Sequence, residues 1–209
     1  MRAKGANTET RAEVVASGTV RVAIIATRKV DEDNCRWIEI ATKGKRNGAE
    51  FSDVQKLLVS ELSLGRNENP LAKVAKSWHR SSTIADNTIL GPMDLDGDSA
   101  KYFFSTLRQY LHGPFDKPES LAKARITSKL GERECAGITA SEHTDDLTRR
   151  TASDSKYTLR LHKDAPFGVV TWEHDVTATA GDQVLSTMTT TLKLSDFGKG
   201  AKSEMPDSN

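Results

Sequence analysis

Between Gln183 and Ser195 the side chains alternate. Val184, Ser186, Met188, Thr190, Leu192 and Leu194 fall on one parity, and Leu185, Thr187, Thr189, Thr191 and Lys193 on the other. A period of two belongs to a strand whose successive side chains point to opposite sides of a sheet. A similar pattern, richer in β-branched residues, runs over Thr19–Lys29 and resumes over Cys35–Lys43 after a polar turn, which predicts a hairpin. Further extended runs are expected at Phe51–Val59, Ala124–Lys129, Glu134–Glu142, Tyr157–His162 and Val169–Thr179, with Gly181-Asp182 turning the chain into the last strand. Arg11–Ala16 also reads as extended.

Two mid-chain segments change period. Asn69 is placed to cap a short helix with Pro70 at its first position, and Leu71, Val74 and Trp78 then make one stripe opposite Lys73, Lys76 and Arg80. The second segment is stronger: Ala100, Phe103, Phe104, Leu107 and Leu111 recur at helical spacing, with Asp98 or Ser99 at the start and Gly113-Pro114 at the end. Strands on both sides of two helices predict an α+β fold: a curved, mostly antiparallel sheet, an unclosed barrel, with the two helices covering its concave face. Val22–Glu39 and Arg125–Glu142 echo one another as strand, acidic turn, cysteine and strand, which suggests a meander of similar hairpins.

The chain has 209 residues, 36% hydrophobic and 28% charged, enough for a core and for a single domain over 1–209 with flexible ends at 1–10 and 202–209. Its formal charge of +1 gives no global pull on nucleic acid, and no run approaches the roughly 18 apolar residues of a membrane span. The amino terminus shows no export signal, and the chain reads as part of a longer natural protein whose leader was removed. Cys35 and Cys135 show no C-x-x-C spacing, and two free buried thiols are favoured over a disulfide.

Catalytic signatures are weak. G-x-S-x-G and the glycine-rich phosphate cradles do not occur, no cofactor is implied, and the chain is read as not an enzyme. Met93–Ser99 brings three carboxylates around Gly97, yet the EF-hand spacing fails and helix capping is the better account. His162 and His174 flank the Pro166-Phe167-Gly168 bend and could meet beside Glu173 or Asp175 as a metal or acid/base pair, although surface histidines on strands are commoner. His79, His112 and His143 lie apart from them. The basic cluster Lys43, Lys45 and Arg46 beside Asn47 and Gly48 reads as a solvated hairpin turn.

Several phrases carry a resemblance: Cys35–Ile40, the Lys56–Val59 run followed by Asn69-Pro70, Leu161–Val170, and Phe197–Lys202. They resemble exported bacterial proteins, and the sheet-plus-helix pattern is similar to that of the lipoprotein-carrier (LolA-like) superfamily. That resemblance implies a helical lid over an apolar cavity, a place in the periplasm or cell envelope, and a lipid or other hydrophobic ligand such as an acyl chain. On that reading Phe103, Phe104, Leu107 and Leu111 cover a cavity floored by Trp37, Trp172 and Met188. An envelope protein is the other expected partner. The alternative is a protein-interaction or structural domain with a filled core that uses a strand edge or the tail from Lys202 to Asn209.

Overall fold

The structure is a computed structural model that describes residues 2–7, 12–64, 74–82, 89–91, 115, 117–148 and 150–205. Contacts divide the chain into two compact units, one of residues 1–17 and 115–197 and the other of residues 18–114 and 198–209. Each unit is built on an antiparallel sheet.

The first unit holds β1 (Arg2–Asn7), the opening residues of β2 (Ala12–Val30), β7 (Glu119–Ser128), β8 (Gly131–Asp146), β9 (Thr151–Leu161), β10 (Val169–Ala180) and β11 (Gln183–Lys193). β7 to β11 follow one another as a meander, and β1 lies between β11 and Ala12–Ser17 of β2. Directly opposed residues on antiparallel strands share a face. The pairs Ile138↔Leu159, Leu159↔Trp172 and Trp172↔Leu192 therefore lay an apolar row across four strands. Trp172 and Leu159 are buried there with Tyr157, and Phe115, Ile138 and Leu192 pack around them. Cys135, Ala165 and Val170 form a second buried cluster. The Pro166–Gly168 bend is a 3₁₀ turn in which Phe167 takes φ 56° and Gly168 φ 77°, so the chain reverses tightly and enters β10 at once.

The second unit holds the rest of β2, β3 (Asp33–Arg46), β4 (Ala49–Ser60), β5 (Val74–Ser81) and β6 (Ile89–Leu90), again in sequential order. Asn47 and Gly48 both take positive φ, 50° and 83°, as the two-residue turn between β3 and β4 requires. A 3₁₀ turn, Glu61–Leu64, follows β4. Both faces of β3 and β4 are buried. Ile38, Ile40, Leu57 and Val59 pack on one side; Cys35, Trp37 and Leu58, with Ala41 and Val54 beyond them, are buried on the other.

The α+β expectation is corrected. The described residues hold eleven strands, two 3₁₀ turns and no α-helix, and neither sheet closes into a barrel among them. Val74 and Trp78, assigned from the sequence to a short helix, belong to β5, where Ser77, His79 and Ser81 are buried and alternate with more exposed neighbours. Pairing of that segment with the apolar stretch of β4 outweighs a stripe carried by only three large residues. Asn69 to Leu71 lie outside the described residues, as do Met93–Ser99 and the whole Ala100–His112 segment with Phe103, Phe104, Leu107 and Leu111.

Candidate functional site

In the second unit two charged residues stand inside strongly apolar strand runs. Arg21 interrupts Val20 and Val22, and Glu39 interrupts Ile38 and Ile40. Strand alternation sends those aliphatic neighbours into one core and turns Glu39, with Trp37 and Ala41, to the opposite face. Glu39 is 0% exposed. A buried carboxylate is tolerated only when hydrogen bonds and a counter-charge replace its water.

The carboxyl-terminal segment supplies most of these. The Ser203 hydroxyl donates to Glu39 Oε2 at 2.6 Å, and the Glu204 backbone N–H points at both carboxylate oxygens, 3.0 and 3.1 Å away. Arg21 Nη2 donates to Oε1 at 2.5 Å, while its Nη1 donates to the Lys202 carbonyl at 3.0 Å. The Glu204 carboxylate meets Arg21 at 3.2 Å and Lys43 Nζ at 2.6 Å. Beyond it the Met205 side chain is buried against Ala41 and Val54, with Trp78 alongside. The Met205 N–H donates to Ser203 Oγ at 3.1 Å, which holds the segment in a local turn.

Lys56 is directly opposite Glu39 on β4 and is itself buried, with its ammonium 5.3 Å from the centre of the Trp37 ring. Trp37 in turn packs on Trp78 at 5.1 Å between centroids. Beside this clasp an open groove of about 520 Å³ runs past Gly18, Phe51 and Ser82, and Lys43 lines it while holding Glu204. Gly18 is required here, because a methyl group at that position would run into the Lys43 carbonyl oxygen. The arrangement grips the main chain and side chains of a short segment through one buried anion, one guanidinium and one apolar pocket.

The residues expected to line a lipid cavity fall differently. Trp37 is buried in the second unit among Cys35, Leu58 and Trp78. Trp172 is buried in the first unit, and Met188 lies on the same face as Trp172, opposite Val176, but is 42% exposed. Glu39 and Arg21 did not stand out from the sequence. The signal that marks them is a charge set between β-branched residues in a strand.

Among the described residues the histidines make no common centre. His174 stacks on Tyr157 at 4.3 Å, and burial pushes its pKa down against the opposing pull of Asp175. It pairs across the ladder with Tyr157, whereas His162 lies beyond Leu161, so the two histidines are separated by about 16 Å of strand at ~3.3 Å per residue. His79 meets Asp53 at 2.6 Å. His143 is exposed and held between Asp154, 2.7 Å away, and Asp145, 3.2 Å away; these hydrogen bonds raise its pKa. Among the described residues no group of three or more His, Cys, Asp or Glu side chains is arranged to hold a metal ion.

Cys35 and Cys135 are both buried and are not joined in a disulfide. Each thiol points at the carbonyl two residues before it, Asp33 and Arg133, and burial raises the pKa of Cys135. No helix among the described residues is long and apolar enough to cross a membrane. Comparison of the chain with family models, with curated proteins and with solved structures found no match.

Proposed function

We propose that the chain is a non-enzymatic protein-interaction module whose second unit grips an extended peptide segment through Glu39 and Arg21. The observation that carries this reading is the fully buried Glu39 carboxylate, which takes a backbone N–H and a hydroxyl from a segment 164 residues away in the chain. A carboxylate in that position serves the fold poorly unless a segment arrives to satisfy it. The outer strand of the first unit among the described residues, β7, carries Lys123 and Arg125 exposed, in diagonal ion pairs with Glu134 and Glu132 of β8. Charges on an edge strand discourage pairing with a foreign strand, which favours the clasp over edge addition as the contact mode.

A labelled peptide with the sequence of residues 199–205 tests the reading. It binds the full chain carrying Met205→Ala, in which the resident segment is loosened, and adding Glu39→Gln weakens that binding at least tenfold. Absence of binding to the Met205→Ala chain at millimolar peptide refutes it. The acyl-chain cargo and the envelope location follow from the resemblance alone; native mass spectrometry of the purified chain separates the readings, since a retained lipid adduct supports the carrier and a bare chain the interaction module.

A further inference from the structure

We infer that residues 202–205 are a built-in competitor: the chain keeps its own peptide-binding site closed, and the partner is an extended protein segment of the same chemistry. This deepens the proposed function and rests on it. The chemistry is legible from the contacts: a backbone carbonyl for Arg21, a hydroxyl and the following N–H for Glu39, an acidic side chain for Arg21 and Lys43, and a long apolar side chain without a β-branch for the pocket of Ala41 and Val54. A partner therefore presents Ser or Thr, then Asp or Glu, then Met or Leu, in an extended or gently turned stretch.

Two features mark the resident segment as displaceable. Its outer ion pair is partly solvated, with the Lys43 and Glu204 side chains 53% and 26% exposed, so salt and water weaken it. The stretch that delivers it is also open: residues 195–201 are exposed, and nothing lies within 4 Å of a Cβ built on Gly198 or Gly200. Such a leash lets the segment leave and return without disturbing a packed element.

A segment tethered by a short leash acts at an effective concentration in the millimolar range. With an intrinsic Kd of about 10 μM for the resident segment itself, that competition weakens the apparent binding of any partner about 100-fold. Loosening the tether contact by trimming a buried methionine to alanine recovers most of this difference.

The experiment compares three full-length chains, wild type, Met205→Ala and Glu204→Lys, for binding of the labelled 199–205 peptide by fluorescence anisotropy, with circular dichroism to verify that all three are folded. The expected result is binding to both variants at least tenfold tighter than to wild type, with the wild-type value approaching that of the variants in high salt. Equal affinity for all three chains overturns the competitor role while leaving the binding site in place. Binding to none of them removes the site itself, and with it both inferences.

Discussion

Replacing Glu39 by Gln keeps the volume of the side chain and removes its charge. The two carboxylate oxygens accept from Arg21, from the Ser203 hydroxyl and from the Glu204 N–H at 2.5 to 3.1 Å. In the variant one oxygen becomes an amide donor. Ser203 Oγ can accept from it and turn its own hydrogen to the Met205 carbonyl, 2.9 Å away, so each group keeps a partner. What is lost is charge assistance: hydrogen bonds to an ion contribute about 1.5–3 kcal/mol and neutral ones about 0.5–1.5. Arg21 is 36% exposed and retains Glu204, so its share is discounted for solvent screening, leaving a total loss of about 2 kcal/mol.

Urea titration followed by tryptophan fluorescence reads this directly. Trp172→Phe silences the first unit and leaves Trp37 and Trp78 to report the second. A loss of that size lowers the thermal midpoint by about 4–8 °C for a chain of this length. Adding Ser203→Ala completes a double-mutant cycle with an expected coupling of about 1 kcal/mol. A Glu39→Gln effect below about 0.5 kcal/mol, or additivity within about 0.3 kcal/mol, would refute the account of Glu39 as the anchor of the segment.

Further outcomes follow from other residues. His174 titrates below its unfolded value because of burial, so the unfolded chain binds more protons than the folded one below about pH 6.5, and stability falls as pH drops through that window. His174→Phe keeps the ring on Tyr157 and flattens the acid-side fall in urea midpoint. His143 has the opposite sign: its raised pKa contributes stability below about pH 6.5 that is lost as pH rises through the folded value, so His143→Gln steepens the acid-side fall. Gly18→Ala forces β2 away from the Lys43 carbonyl and costs about 1–3 kcal/mol, measured by the same titration. Neither Cys35 nor Cys135 reacts rapidly with a disulfide reagent in the native chain, and both do so in guanidinium; a fast native thiol contradicts their burial.

The strands were legible because their signal is local. The runs at Thr19, Cys35, Phe51, Glu134 and Val169 fall within β2, β3, β4, β8 and β10, those at Ala124, Tyr157 and Gln183 overrun the ends of β7, β9 and β11 by one or two residues, and Asn47-Gly48 turns the chain as its residue types demand. β1 carries no such signal: Arg2–Asn7 is polar and becomes a strand through its neighbours β11 and Ala12–Ser17. β5 misled for a related reason. Val74 and Trp78 fit a helical stripe as well as a strand, and the choice is made by β4, which the local pattern does not contain. The clasp was still less accessible, since Glu39 and Ser203 meet only after the whole chain has folded. Its one local trace was an acid between two isoleucines.

Among the described residues β2 to β6 and β7 to β11 follow one plan: three sequential strands, a 3₁₀ turn, then two more strands, with a buried thiol near the start of the second. Aligned on Cys35 and Cys135, the place of Glu39 is taken by Thr139, whose hydroxyl finds the Tyr157 carbonyl at 2.8 Å within its own sheet. The plan is thus satisfied by a neutral, self-contained hydroxyl in one copy and by an ion needing an outside donor in the other. The buried ion is a departure from the chain's own template, written at a single strand position.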